Sequence, residues 1–156
     1  MKTRRTLLLA LLFTTAVASW PQDSAAVAEG AIVVIVNKAN PATTLGASEL
    51  RPIFQTRKNN WSNGDDAVPL NLPEDNHLRR EFDQAVLGLD AERVARYWKD
   101  RKIRGGARPP KHLPTTAAVL AAVAANHGAI GYVNASEANK SVKVVARIVD
   151  GKLSAP

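Results

Sequence analysis

The stretch Gly128-Ala-Ile-Gly-Tyr-Val133 decides how this chain folds. It follows an alanine-rich run and leads into a short apolar segment, so a helix must end and turn sharply into a buried strand. We predict that Gly128 lies just after the helix, where a positive φ costs glycine least, and that Gly131 lets a neighbouring backbone approach closely. A helix-to-strand unit is therefore expected in this part of the chain.

Strands and helices alternate on both sides of this stretch. The β-branched run at 31–36 predicts a strand covered on both faces, as in a parallel sheet. The alternation at 142–149 predicts a strand with one wetter face, near a sheet edge. The other predicted elements are helices at 48–55, 75–87, 91–102 and 117–126 and strands at 67–72 and 130–133. The sequence predicts an α/β three-layer sandwich with a small, mainly parallel sheet in one compact domain.

The apolar positions of these elements define a predicted core. Asp90 and either Thr115 or Thr116 carry side chains suited to capping the helices that follow them. Trp61 follows the first short helix, and we expect it to hold its loop against the body of the domain. The predicted core residues are Val33, Ile35, Phe54, Phe82, Val94, Trp98, Val119, Val123, Ile130 and Val144.

The first residues predict export. Lys2, Arg4 and Arg5 precede an apolar run at 7–17, which is far shorter than the ~20 residues that span a bilayer. These features are typical of a signal peptide. The pair Arg4-Arg5 also resembles a weak twin-arginine signal, so Sec and Tat export both stay open. We expect a periplasmic protein that is not integral to the membrane.

The leader sets the predicted boundaries of the domain. Small residues favour cleavage after Ala18, and a second site near Ala28 is the alternative. The chain then divides into a signal peptide at 1–18, a flexible mature N-terminus at 19–30 and the folded domain at 31–156. Removing three basic residues with the leader lowers the formal net charge from +7 to +4.

The composition argues against several kinds of chemistry. The chain has no cysteine, which excludes disulfides, thiol catalysis and thiolate metal sites. No nucleophile motif or phosphate loop occurs, so we expect no enzyme and no cofactor. His77, His112 and His127 lack the spacing of metal ligands, and His77 beside Glu74 and Asp75 would make only a partial site. No metal is therefore expected.

A basic segment runs from Arg93 to Lys111, with Asp100 as its only acid. Such a run attracts anionic partners or simply solvates a helix face, and the sequence leaves both open. Nucleic acid is not expected, because the predicted compartment is wrong and no aromatic ladder accompanies the charge. The predicted basic interaction surface consists of Arg101, Lys102, Arg104, Arg108 and Lys111.

Several short motifs occur in an order that resembles a known family. Besides the stretch ending at Val133, they are Ile32-Val-Val-Ile-Val-Asn37, Leu50-Arg-Pro-Ile-Phe54, Trp61-Ser-Asn-Gly64 and Tyr97-Trp98. Together they resemble the C-terminal half of the PstS-like phosphate-binding proteins, the substrate-binding proteins of phosphate ABC transporters, which have the type II periplasmic binding fold. The resemblance implies a short form of this family, without the half that supplies the other wall of the ligand cleft.

The phosphate motif of that family is altered in this chain. PstS-like proteins carry the pattern Arg-x-Asp-x-Ser-Gly-Thr at a junction between a strand and a helix. Aligned without gaps, Leu72 replaces the arginine and Glu74 the aspartate. Asn76, His77 and Leu78 stand where serine, glycine and threonine are expected, so both hydroxyls are missing and tight phosphate capture is not implied. A small shift would bring Arg79 or Arg80 to the site and keeps weak anion binding open. The candidate ligand-binding residues are Glu74, Asp75, Asn76, His77 and Arg79.

Two functions follow from these observations. The resemblance implies an exported solute-binding protein of the bacterial envelope, linked to uptake of phosphate or another small anion, with an ABC permease or another envelope protein as partner. The alternative is an envelope adaptor outside transport, which binds a protein or an anionic polymer through its basic surface. The missing hydroxyls favour the adaptor, whereas the preserved motif order favours the solute-binding protein.

Overall fold

The computed structural model describes residues 30–156. The predicted leader, its two cleavage sites and residues 19–29 of the predicted flexible N-terminus lie outside the described residues. In chain order the elements are β1 (Ile32–Asn37), α1 (Ala47–Phe54), β2 (Val68–Asn71), α2 (His77–Phe82), α3 (Ala91–Ile103), β3 (Lys111–His112), α4 (Thr116–Ala125), β4 (Ala129–Asn134), β5 (Val142–Val149) and β6 (Lys152–Ser154). A π-helical turn (Asp83–Leu87) extends α2, and a 3-10 turn (Ala135–Glu137) follows β4. None of the helices in this part of the chain is long and apolar enough to cross a membrane.

The strands of residues 30–156 form one six-stranded sheet in the order β3-β2-β4-β1-β5-β6. β2 is parallel to β3 and β4, whereas β1 is antiparallel to β4 and β5, and β5 is antiparallel to β6. The α/β class and the single domain are confirmed, but the sheet is mixed rather than mainly parallel. All six residues of β1 are buried. A continuous apolar run indicates that a strand is buried on both faces. It does not indicate strand direction, because a central antiparallel strand is buried in the same way as a parallel one.

Helices cover both faces of the sheet. On β4, Gly131 faces α4, and a Cβ added there would lie 2.5 Å from Val119 Cγ1. Tyr132 points the opposite way, with its ring stacked 4.0 Å from Phe82 and 6.2 Å from Phe54. Because successive strand residues point to opposite faces, α4 covers one face and α1 with α2 the other. The predicted three-layer arrangement is thereby confirmed.

Gly128 and Gly131 must be glycine because a side chain at either position would collide with neighbouring atoms. Gly128 does not have a positive φ, contrary to the prediction. A Cβ there would overlap the carbonyl oxygen of Asp66, so the loop before β2 passes directly over this residue. At Gly131 the close neighbour is the Val119 side chain rather than a backbone. Trp61 donates from Nε1 to the Gly128 carbonyl at 2.9 Å, which confirms that it holds its loop to the domain.

Most of the predicted core is buried, with two exceptions. Trp98 and Val144 are only half-buried, whereas the other eight predicted core residues are buried. α4 is less enclosed than its composition suggests, because Val119 and Val123 are buried while Ala121 on the outer side is exposed. Alanine is common on both surfaces of a helix, so an alanine-rich sequence does not by itself show how many sides are covered.

Two short edge strands were not predicted. β3 lies within a segment rich in glycine and proline, which indicated a loop. β6 exists because Asp150 and Gly151, with φ of 50° and 69°, turn the chain back onto β5. Two consecutive residues with positive φ are typical of a tight hairpin turn. The pair therefore closes a hairpin and keeps residues 152–154 in the sheet.

We predict that Gly128→Ala destabilises the domain by ~1–3 kcal/mol, because its Cβ would force the Asp66 backbone to move. Urea unfolding followed by far-UV circular dichroism measures the change. Gly46→Ala is the control for a Cβ added in open space, since Gly46 also has a negative φ and its Cβ would meet nothing closer than 3.8 Å. Because Gly46 is the N-cap of α1, this control should itself cost about 0.5–1 kcal/mol through the weaker cap. Equal unfolding midpoints for Gly128→Ala and the wild type would contradict the packing described for this glycine.

Candidate functional site

The predicted binding site lies where parallel strands end. β2, β3 and β4 are parallel, so their carboxyl ends lie at one edge of the sheet, which we call the carboxyl edge. α2 follows β2 and α4 follows β3, so both helices begin there. Ligands of α/β proteins gather at such edges, where helix N–H groups can meet an anion.

A buried group of side chains, the polar cluster (Asn71, Arg79, Asp83 and Tyr132), lies behind this edge. The Tyr132 hydroxyl donates to Asn71 Oδ1 at 2.5 Å and accepts from the Leu72 N–H at 3.3 Å. Arg79 donates from Nη1 to the Leu72 carbonyl at 2.9 Å and from Nε to Asp83 Oδ2 at 2.6 Å. The polar cluster thus joins β2 and β4 to α2.

Burial controls the ionisation of two members of the polar cluster. Burial raises the pKa of Asp83 above its ordinary value of 3.8, and the guanidinium of Arg79 opposes this only in part. Burial also raises the pKa of Tyr132 far above its ordinary range. Tyr132 therefore keeps its proton at neutral pH and donates it to Asn71.

The five predicted ligand-binding residues divide by role. Arg79 is only 6% exposed, and its Nε and Nη1 atoms donate to groups inside the domain. Asn76 Oδ1 accepts from the Leu78 N–H at 2.9 Å and caps α2. The remaining three, Glu74, Asp75 and His77, are exposed at the start of α2. Arg80, the alternative arginine, is also exposed and donates to the Asp75 carbonyl at 2.8 Å.

A further carboxylate, which the sequence analysis missed, lies at the start of α4. Glu137 Oε1 accepts from the Thr116 hydroxyl at 2.5 Å, and Oε2 accepts from the backbone and side-chain nitrogens of Asn134. Burial opposes ionisation, but these hydrogen bonds together outweigh it and lower the pKa of Glu137 below its ordinary 4.5. The signal was present as Asn134-x-x-Glu137, a capping box.

The predicted basic surface is divided in the structure. Three of its five residues, Lys102, Arg108 and Lys111, line one cavity of about 990 Å³, which we call the basic cavity. α3 forms one wall and the segment that enters β3 forms the other. The remaining lining residues are Trp98, Lys99, Gly106, Ala107, Pro109, Pro110 and His112.

Arg101 and Arg104 lie outside the basic cavity. Arg101 Nη1 donates to the Gln55 carbonyl at 2.7 Å and to the Tyr97 hydroxyl at 2.9 Å. Its Cζ lies 5.8 Å from the ring centres of both Tyr97 and Trp98. Arg101 therefore ties α3 to the end of α1. Arg104 lines a smaller hollow of about 210 Å³ with Arg101, Tyr97 and Asp100.

Most of the basic cavity lies away from the carboxyl edge, and it reaches that edge only at His112, which pairs with Asn71 at the end of β2. Residues 106–110 precede β3, whereas residues 72–76 follow β2, and these two strands are parallel. The three histidines also lie apart from one another: one begins α2, one lies in β3 and one follows α4. Within residues 30–156, no group of three or more histidine or carboxylate side chains is placed to hold a metal ion.

Comparisons with known proteins identify the fold. The family model described as "PBP superfamily domain" matches residues 15–154. An ABC-type phosphate transport receptor from Vibrio cholerae matches with a TM-score of 0.59 and 19% identity, over 73% of this chain and 44% of its own. A putative phosphate ABC transporter substrate-binding protein with bound phosphate from Clostridium perfringens matches with a TM-score of 0.59 and 25% identity, over 78% of this chain and 45% of its own.

These matches confirm the predicted resemblance in a short form. PstS from Borrelia burgdorferi gives a TM-score of 0.57 at 13% identity, over 74% of this chain and 46% of its own. The chain thus spans just under half the length of the solved structures that it matches. No curated protein matches it.

We predict that Arg79→Leu lowers the free energy of unfolding by ~3–5 kcal/mol, because it leaves the Asp83 carboxyl buried without its partner. Asp83→Leu should be similarly costly, and the double variant should lose much less than the sum of both. A double-mutant cycle in urea measures this coupling. The control cycle uses Arg96 and Glu92, an exposed pair that has the same i,i+4 spacing and an N–O distance of 2.7 Å. The coupling energy of this pair should stay below ~0.5 kcal/mol.

The raised pKa of Asp83 makes the free energy of unfolding of the wild type and of Arg79→Leu depend on pH. Its contribution to stability is present below the unfolded-state value of 3.8 and decreases as pH rises through the folded-state pKa. Without Arg79 the folded-state pKa rises further, so Arg79→Leu should lose stability over a wider pH range than wild type. Parallel stability curves for the two proteins would show that Asp83 is not held by Arg79.

We predict the opposite pH dependence for Glu137. Its folded-state pKa is lowered, so its contribution to stability is present above 4.5 and disappears as pH falls through the folded-state pKa. Glu137→Gln should therefore melt below wild type at neutral pH, and the difference should shrink in acid. Thermal denaturation across this pH range measures it, with Glu81→Gln as a control at a carboxylate that makes no comparable contacts within the described region.

Proposed function

Because the chain belongs to the PBP superfamily, we propose that it is an exported, PstS-like solute-binding protein of the bacterial envelope, linked to uptake of phosphate or another small anion. The observation that carries this proposal is the likeness to a relative with bound phosphate across most of the described domain. The leader predicted at 1–18 supports a periplasmic location. The protein would act by binding rather than catalysis, with an ABC permease or another envelope protein as its partner.

The carboxyl edge is the part of this domain that would meet the anion, and its charge favours weak binding. The Arg79 guanidinium is buried against Asp83, so it is not presented to a ligand. Exposed Glu74 and Asp75 add negative charge beside the start of α2, and Glu137 adds another at the start of α4. Like charges repel an incoming anion. The exposed side chains of His77 and Arg80 are left to attract one.

We predict that inorganic phosphate binds with a dissociation constant in the range of ~1 mM, measured by isothermal titration calorimetry. The double variant Glu74→Gln/Asp75→Asn should bind several-fold more tightly, because it removes two negative charges next to the anion. Asp65→Asn/Asp66→Asn is the matched control: it removes two exposed carboxylates from the loop that precedes β2, at the other end of this strand.

One result would contradict the proposal, and a second would contradict only the predicted weak affinity. If neither the wild type nor Glu74→Gln/Asp75→Asn bound phosphate or sulfate, the carboxyl edge would not be an anion site. If the wild type bound phosphate with a micromolar dissociation constant, the altered motif would still support tight capture, and the assignment of Arg79 to the polar cluster would be wrong in solution.

A second candidate function is an envelope adaptor, and the basic cavity is the observation that favours it. Its lysines and its arginine lie on one side of the domain, away from the carboxyl edge. A surface of this kind binds anionic macromolecules by summed charge, and the affinity falls as salt increases. Charge reversal at Lys99, Lys102 and Arg108 would remove such binding without touching the carboxyl edge.

A further inference from the structure

The basic cavity concentrates uncompensated positive charge. Its lining includes three lysines and one arginine, and it includes no carboxylate. The ion pairs within residues 30–156 join Arg79 to Asp83, Arg93 to Asp90 and Arg96 to Glu92, so none of them neutralises a cavity residue. Several like charges converging on one concave surface attract an anion and hold it more strongly than a flat surface would. The four cavity cations are Lys99, Lys102, Arg108 and Lys111.

The same cavity offers flat apolar surfaces. Trp98 is half-buried, lies edge-on to Tyr97 with ring centres 5.0 Å apart, and still lines the cavity. Ala107, Pro109 and Pro110 line the opposite wall, and Pro110 is itself buried. The volume of about 990 Å³ is in the range of sites that enclose small molecules, roughly 300–1,000 Å³. A lining that combines apolar surfaces with cations suits a ligand that has both an apolar and an anionic group.

The walls of the cavity are fixed by the backbone. The Gly106 N–H donates to the Arg101 carbonyl at 2.8 Å, which anchors the start of the lining segment to α3. The Leu113 N–H donates to the Asn71 carbonyl at 2.8 Å, which anchors its end to β2. Because the lining segment is anchored at both ends, it needs little ordering when a ligand binds. Binding therefore loses less affinity to conformational entropy than it would at a mobile loop.

The geometry argues against an extended peptide as the occupant. β3 is an edge strand of only two residues, and Pro109 and Pro110 before it have no N–H to donate to an added strand. Recognition must therefore use side chains. A long anionic polymer would also use the outer arginines of α3, but Arg93 and Arg96 are paired with acids on their own helix.

We propose that the basic cavity is a second binding site, separate from the carboxyl edge, which takes a small organic anion with a planar apolar group. The apolar group packs against Trp98 and the proline wall, and a phosphate or carboxylate group lies among the four cations. This site goes beyond the proposed function, because most of its lining lies on α3 and on the segment before β3, and it shares no residue with the phosphate motif.

Isothermal titration calorimetry with 1-naphthyl phosphate, inorganic phosphate and the uncharged 1-naphthol tests the proposal. We expect 1-naphthyl phosphate to bind at least about tenfold more tightly than either of the others, because only it uses both parts of the cavity. Lys102→Ala/Arg108→Ala should weaken its binding by about tenfold or more. Arg93→Ala/Arg96→Ala removes the same net charge outside the cavity and should leave binding nearly unchanged.

Two further measurements locate the ligand and identify the charged group that the cavity prefers. The indole N–H resonance of Trp98, assigned with Trp98→Phe, should shift on titration, whereas that of Trp61, which is bonded to the Gly128 carbonyl, should not. Comparing 1-naphthoate with 1-naphthyl phosphate shows whether a carboxylate or a phosphate is preferred. Glu74→Gln/Asp75→Asn should leave both affinities unchanged when they are measured from the Trp98 resonance, which separates this site from phosphate binding at the carboxyl edge.

The proposal is overturned if 1-naphthyl phosphate binds no more tightly than inorganic phosphate. It is also overturned if Lys102→Ala/Arg108→Ala and Arg93→Ala/Arg96→Ala lose affinity equally, since binding would then depend on overall charge, as expected for the adaptor. Thermal denaturation of each variant confirms that it is folded, so an effect on binding is not a loss of structure.

Discussion

The two faces of strand β4 are packed differently: Gly131 allows α4 to lie close on one face, and Tyr132 fills the space on the other. The packing of the rest of the domain depends on this difference. The absence of a side chain at Gly131 lets Val119 of α4 pack directly against the strand. On the opposite face, Tyr132 fills the space between β4 and the phenylalanines of α1 and α2. Close packing on both faces excludes water from the central strands and gives the domain its largest buried apolar surfaces. Gly128 extends the same constraint, because the loop carrying Trp61 lies directly on it.

The buried ring of Tyr132 ends at the polar cluster, and this junction explains why the Arg79 guanidinium is not exposed at the carboxyl edge. The Tyr132 hydroxyl must find partners once its ring is buried, and it finds them at the end of β2. Arg79 completes the cluster by bonding the Leu72 carbonyl and Asp83. An arginine used in this way stabilises the strand end but cannot turn toward a ligand without leaving a buried carboxyl behind. Structural use of this residue and ligand binding by it are mutually exclusive.

The charges of the domain are separated along the sheet. Carboxylates gather at the carboxyl edge, and unpaired cations gather around the basic cavity. An anion diffusing toward the molecule is therefore attracted more strongly to the cavity than to the edge. This difference in charge is the physical reason to propose two separate sites in one small domain, one at the carboxyl edge and one formed by α3 and the segment between α3 and β3.

The sequence alone determined what depends on near neighbours in the chain. It predicted the order of helices and strands, and it predicted the caps, since Asp90 accepts from the Arg93 N–H and Thr115 from the Ala118 N–H. The order of short motifs identified the family, which the fold confirms. Tertiary structure decided strand direction, the two edge strands and the role of Arg79, because each depends on contacts between distant residues. A basic residue in a run is the same in sequence whether it lines a cavity, as Lys102 does, or ties two helices together, as Arg101 does. Only the packing of α3 against its neighbours separates these two outcomes, because packing sets which side chains are desolvated and which stay free to meet a ligand.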